Sequence, residues 1–177
     1  MKQEIIMAGF GGQGVMSIGK LLAYAGMTEG KEVSWMPSYG PEMRGGTANC
    51  TVIVSDKKIP APVTSHPDTA IVMNLPSQDK FGPKVKADGY LLVNSSLIEK
   101  KIGRDDIKII NVPANEIADE LGNTKVANMV MLGAYIAAID LVDLETVKDS
   151  LKNVLPERRH NLIPMNEEAL DRGYNLV

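Results

Sequence analysis

A chain of 177 residues can bury one core without disulfide or metal staples, and its 44% hydrophobic and 23% charged residues are those of a globular protein. A net charge of −3 offers no basic surface to nucleic acid or to an anionic membrane. Cys50 stands alone, which excludes an internal disulfide framework and an intrinsic iron–sulfur cluster, and suits a reducing cytoplasm.

The apolar run Ile5-Ile6-Met7-Ala8 reads as a first strand with no signal peptide before it. Gly9-Phe10-Gly11-Gly12-Gln13-Gly14 follows, with the spacing Gly-x-Gly-x-x-Gly. Between a strand and a helix, that spacing marks a tight turn whose helix N-terminus faces an anion. Val15, Ile18, Leu21, Leu22 and Ala25 then give helical periodicity from Val15 to Met27, with Gly30 as the stop. A second strand, Glu32 to Met36, runs into a second loop, Pro37-Ser38-Tyr39-Gly40-Pro41-Glu42-Met43-Arg44-Gly45-Gly46. Thr47 to Val54 alternates as a strand with Ala48, Cys50, Val52 and Val54 on one face. No helix separates it from the second strand, so it is expected to be antiparallel or at an edge.

Ala70 to Asn74 reads as a buried strand, and Leu75 to Phe81 as one or two helical turns stopped by Gly82-Pro83. Strands are expected at Tyr90 to Asn94 and Ile107 to Val112, then a short helix from Pro113 to Leu121 ended by Gly122. Met129 to Ile139 carries no charge and only the Tyr135 hydroxyl. A helix without a polar face is buried on most sides or covered by another subunit. Asp143 to Leu155 is amphipathic, with Leu144, Val147, Leu151 and Leu155 inward, and a last helix spans about Pro164 to Arg172 with Gly173 as its stop. The alternation predicts an α/β fold: one three-layer Rossmann-like domain over residues 1–177, its sheet mainly parallel apart from the strand near 47–54.

The two loops carry the candidate site. A nucleotide-binding fold of the dinucleotide type ends its second strand in an acid that holds the ribose. Here the strand enters Pro37-Ser38-Tyr39, and Glu42 lies too far on, so the fingerprint is half complete and NAD binding is disfavoured. The glycines of the first loop either approach an anion or simply make a tight βα turn. Arg44 can grip a carboxylate or phosphate in a bidentate fork, or pair with Glu42 or a carboxylate of a neighbouring subunit. Tyr39 can offer its hydroxyl to a ligand or wedge the loop. Neither His66 nor His160 has a catalytic setting, and no nucleophile–base pair or metal-ligand spacing is present, so no catalytic or metal residue is assigned.

Gly-Phe-Gly-Gly-Gln-Gly-Val followed by Pro-Ser-Tyr-Gly-Pro-Glu-Met-Arg-Gly-Gly-Thr-Ala resembles the gamma subunit of the 2-oxoacid:ferredoxin oxidoreductases, and the likeness extends to Asn166–Gly173. Those enzymes oxidatively decarboxylate a 2-oxo acid to an acyl-CoA and reduce ferredoxin. The resemblance implies that this chain binds no cofactor by itself. Thiamine diphosphate and magnesium would sit in alpha and beta subunits, iron–sulfur clusters in a ferredoxin-like delta subunit, and CoA would be co-substrate. Gly9, Gly11, Gly12, Gln13, Gly14, Ser38, Tyr39, Gly40, Glu42, Arg44 and Gly45 would then be cofactor-binding or close to the active site. The form of loop two leans toward a 2-oxoglutarate or branched-chain enzyme over a pyruvate one. A stand-alone nucleotide- or CoA-binding Rossmann-like protein is the alternative. The apolar helix near Met129 and the methionine excess predict a surface that packs on partner subunits, or self-associates when the chain is isolated.

Overall fold

The computed structural model describes residues 1–38 and 47–177. Six strands form one sheet in the order β2-β3-β1-β4-β5-β6, with β1 Lys2–Phe10, β2 Glu32–Ser38, β3 Thr47–Ser55, β4 Thr69–Val72, β5 Tyr90–Asn94 and β6 Lys108–Val112. β1, β4, β5 and β6 run parallel to one another. β3 is antiparallel to both β1 and β2. The strand near 47–54 is therefore antiparallel but interior, and the edge belongs to β2. That position explains why β2 extends two residues beyond Met36 through Pro37: an edge strand tolerates a residue that cannot donate.

The helices are α1 Val15–Thr28, α2 Leu75–Phe81, α3 Ala114–Glu120, α4 Ala127–Ile139, α5 Leu144–Val154 and α6 Ile163–Tyr174. Alternation along the strands divides the core in two. Ile5, Met7, Cys50, Val52 and Ile71 face α1 and the α3–α6 layer, whereas Ile6, Ala8, Ala70, Val72 and Leu91 face Phe81 of α2, Val85, Ile98 and Ile107. The three layers are thus unequal, one thick and one thin. Cys50 is wholly buried, as a small hydrophobe would be. Burial pushes its thiol up to about 12, the Trp35 side chain beside it pulling the other way.

The C-terminal helices meet one expectation and change another. α4 is buried from Ala127 to Ile136, as expected of a helix without a polar face, and it packs most extensively on α6 of the same chain. The reason is a close crossing of two glycines. A Cβ on Gly133 would fall on the Leu170 carbonyl, and one on Gly173 on the Val130 carbonyl. Gly173 accordingly does not stop α6; the helix runs on to Tyr174 so that this glycine can meet α4.

At the other end of the sheet, Glu4 accepts from Lys2 and Lys86 at 2.7 Å each. Lys86 also reaches Asp68 at 2.8 Å, fixing the connection before β4. Burial would raise the Glu4 carboxyl, but the two ammonium groups outweigh it and hold the group below the ordinary carboxylate value.

Candidate functional site

The chain leaves β1 through α1 toward β2 on one side of the sheet, while β4 lies on the other side of β1. A switch of this kind opens a crevice beyond the carboxyl end of the strand where the direction changes. Loop one occupies that place. Register also brings the two loops together: Phe10 pairs with Thr47, Gly9 with Ala48, and Ser38 with Asn49. Loop two therefore leaves and re-enters the sheet beside loop one. Ser38 is exposed at the end of β2, where a ribose-binding acid would be needed, and supplies no carboxylate. Tyr39, Gly40, Glu42, Arg44 and Gly45 lie outside the described residues.

The glycines of loop one have different tasks. Gly12 and Gly14 adopt positive φ, 93° and 75°, which favours residues without a side chain. Gly12 faces open space, whereas Gly14, at the N-cap of α1, lies against the Asn128 amide. Gly9 is buried in β1; a Cβ there would stand 2.7 Å from Gln13 Oε1 and 2.9 Å from Met73 Cβ. Gln13 is the brace of the turn. Its Oε1 accepts from the Phe10 N–H at 2.6 Å and from Asn74 Nδ2 at 3.4 Å, and its Nε2 donates to the Met73 carbonyl at 3.5 Å.

Sequence reasoning missed the asparagines that line up with this brace. Asn94 Nδ2 donates to the Met73 carbonyl at 3.3 Å and to Asn115 Oδ1 at 2.8 Å. Asn128 Nδ2 donates to the Gly14 carbonyl at 3.1 Å, and Asn74 Oδ1 caps α2 by accepting from Ser77 N–H at 2.9 Å. Asn74 follows β4 and Asn94 ends β5, so the signal was an asparagine at the carboxyl end of successive strands. Together these amides tie the ends of β1, β4 and β5 to the starts of α3 and α4, and give loop one a fixed floor.

Above that floor lies a cleft of about 570 Å³ between loop one, the first turn of α1, the turn before α4, and the segment from Leu155 to Asn166. Its polar rim includes Lys125 and Arg159, and apolar Phe10, Met16, Met129 and Leu155 line it as well. Val15, Met16 and Ser17 present the unsatisfied N–H groups of a helix start that no side chain caps. No group of three or more His, Cys, Asp or Glu side chains suited to a metal occurs among the described residues. The site is built to hold and shape, with no acid–base or nucleophilic pair among the described residues.

A family model described as pyruvate ferredoxin/flavodoxin oxidoreductase matches residues 4–176. The chain belongs to this family. The oxidoreductase relatives differ in how much of their length it represents. It is 38% identical over 171 residues to the ketoisovalerate oxidoreductase subunit VorA of Methanothermobacter marburgensis, covering 96% of this chain and 35% of that protein. The chain thus spans about a third of that relative. It is 32% identical to the 2-oxoglutarate synthase subunit KorC of Methanocaldococcus jannaschii, covering 100% of this chain and 95% of that one. Among solved structures, the keto/oxoacid ferredoxin oxidoreductase gamma subunit of Geobacter sulfurreducens superposes with a TM-score of 0.82 at 30% identity, over 98% of this chain and 97% of that one. In fold and extent this oxidoreductase-family chain is of the gamma-subunit type. No helix among the described residues is long and apolar enough to cross a membrane.

Proposed function

We propose that the chain is the gamma subunit of a 2-oxoacid:ferredoxin oxidoreductase that converts a 2-oxo acid to an acyl-CoA and reduces ferredoxin. The observation that carries this reading is the end-to-end agreement with a gamma subunit in both fold and length. Residues 1–177 act as one gamma domain with no chemistry of their own. Thiamine diphosphate and magnesium belong to alpha and beta subunits, the iron–sulfur clusters to a ferredoxin-like delta subunit, and CoA is the co-substrate, all in the cytoplasm. A ketoisovalerate and a 2-oxoglutarate relative support a branched-chain 2-oxo acid or 2-oxoglutarate as substrate over pyruvate.

Within that complex, loop one and loop two shape a neighbouring active site. Gly9 and Gln13 hold loop one in form, and Ser38, Tyr39, Gly40, Glu42, Arg44 and Gly45 form the contact that loop two makes. Arg44 serves the subunit interface in this reading, so Arg44→Ala loosens the complex and leaves surviving complexes with normal kinetics. An assembled mutant whose transition-state binding is weaker by about 1.5–3 kcal/mol, the scale of a charged hydrogen bond, would assign Arg44 to a ligand instead.

The direct test is reconstitution. The purified chain alone is colourless, free of iron and inactive on 2-oxo acids, and adding it back to a complex stripped of its gamma subunit restores ferredoxin reduction. Activity that is the same with and without the chain would overturn the reading.

A further inference from the structure

The two edges of the sheet differ in what they offer a further strand. β2, at one end, contains Pro37, which has no N–H to donate. β6, at the other end, is Lys-Ile-Ile-Asn-Val, β-branched at three of its five positions and free of proline. Its ladder with β5 is fixed by the bonds from the Lys108 N–H to the Gly89 carbonyl and from the Ser95 N–H to the Val112 carbonyl. In a parallel pair, alternate residues give both backbone groups to the same neighbour, so 108, 110 and 112 bond β5. Ile109 and Asn111 therefore turn their N–H and C=O groups to the open edge, and both residues are exposed, Ile109 by 38%. A lysine on an edge strand commonly keeps other strands away. Here the Lys108 ammonium lies back over β5, 4.8 Å from the centre of the Tyr90 ring and 3.0 Å from its hydroxyl.

We propose that the β6 edge pairs antiparallel with the β6 edge of a second copy of this chain, joining two sheets into one. Ile109 and Asn111 supply four outward groups, and in an antiparallel pair such a residue exchanges both of its groups with the residue opposite. A register centred on Ile110 uses all four, with Ile109 of each copy against Asn111 of the other. Moving the centre to Asn111 sets Ile109 against Pro113, which has no N–H; moving it to Ile109 sets Asn111 against Ile107, buried and outside β6. The contact is the same patch on both copies, related by a two-fold axis at Ile110. It sets the two half-buried Ile110 side chains directly opposite each other and Lys108 opposite Val112, so no like charges face each other. On the other face, Ile109 and Asn111 line a cavity of about 460 Å³ with Val93 and Ile98. Pairing brings the two exposed Ile109 side chains together there as diagonal neighbours. Of the charged residues lining that cavity, Lys100 is spent on Asp79, which leaves Glu99 and Lys101, one of each sign, so a rotated copy offers each its opposite. The inference goes beyond the gamma-subunit reading and does not depend on it, because β6 and β2 are opposite edges and pairing through β6 keeps the β2 edge and loop two free.

The contact is one strand from each side, so the dimer should be weak, with a dissociation constant of roughly 10 μM to 1 mM. The test is sedimentation equilibrium of the full chain at rising concentration, where the mass should climb from the 19.2 kDa of one chain toward twice that value. Ile109→Pro removes an outward N–H and none that β5 uses, so it should weaken association by about tenfold or more while the circular dichroism stays that of wild type. Val63→Ser, at an apolar residue exposed by 57% outside the sheet, should leave association unchanged. In the wild-type chain, hydrogen exchange at the Ile109 and Asn111 amides should slow as concentration rises, a reading that needs no variant to fold. A single-chain mass up to about 2 mM, association of unaltered strength in Ile109→Pro, or exchange at the two amides independent of concentration would overturn the proposal. Protection of those amides only in the assembled oxidoreductase would give the edge to a partner subunit and equally overturn it. None of these outcomes touches restoration of ferredoxin reduction by the added chain, so the two readings fail separately.

Discussion

The crossing of α4 and α6 makes a quantitative prediction through Gly173→Ala. The added methyl would fall on the Val130 carbonyl, a backbone atom that cannot rotate away, so the helices must separate. Overpacking of a core contact costs about 1–3 kcal/mol, and a backbone obstacle puts this case at the upper end. Alanine in place of glycine within a helix returns about 1 kcal/mol. The net loss is about 2 kcal/mol, which in a domain of this size lowers the melting temperature by about 4–8 °C. Urea unfolding followed by far-ultraviolet circular dichroism measures the first quantity and a thermal melt the second. Gly103→Ala is the control: its Cβ meets nothing within 4 Å and its φ is not positive, so it should be neutral or slightly stabilising. Gly133→Ala and Gly173→Ala should combine less than additively, because either one alone parts the same pair of helices. A Gly173→Ala chain within about 0.5 kcal/mol of wild type, the range of ordinary surface changes, would refute the close-crossing argument.

Three further outcomes are expected. Cys50, fully buried and with its thiol pushed up to about 12, should resist a thiol reagent at neutral pH until the chain is unfolded; rapid labelling of folded protein would contradict its placement. Glu4 has a folded value held below its ordinary 4.5, so its pairing stabilises fully above that pH and is lost as pH falls through the lower folded value; Glu4→Gln should flatten the loss of stability below about pH 4.5, and an unchanged acid limb would argue against the cluster. Gln13→Ala removes the acceptor of the Phe10 N–H and should cost about 1 kcal/mol, with faster hydrogen exchange at Phe10; unchanged exchange there would mean that Gln13 does not brace the turn.

Much of the fold was legible because local signals and tertiary roles coincide. Ala48, Cys50, Val52 and Val54 show their buried face as plain alternation, and Gly122, at positive φ, marks the end of the α3 segment. The sequence could not reveal which strand lay at the edge, because β3 and β2 pair across a loop whose ends are set by register rather than by residue type. Gly173 misled for a related reason. A glycine near a helix end reads as a stop, and only the position of Gly133 on another helix turns it into a contact. The same holds at the site. The glycines of loop one announced themselves, but Lys125 and Arg159 are single cations in separate segments, and their shared cleft exists only once α4 and the Leu155–Asn166 segment have folded over α1.

The central claim is that this chain works as one subunit among others, and affinity purification of the native chain under anaerobic conditions tests it most directly. The account predicts stoichiometric partners that carry thiamine diphosphate and iron–sulfur absorbance, in a complex that reduces ferredoxin with a 2-oxo acid and CoA. Recovery of the chain alone, or with partners lacking both groups, would contradict it.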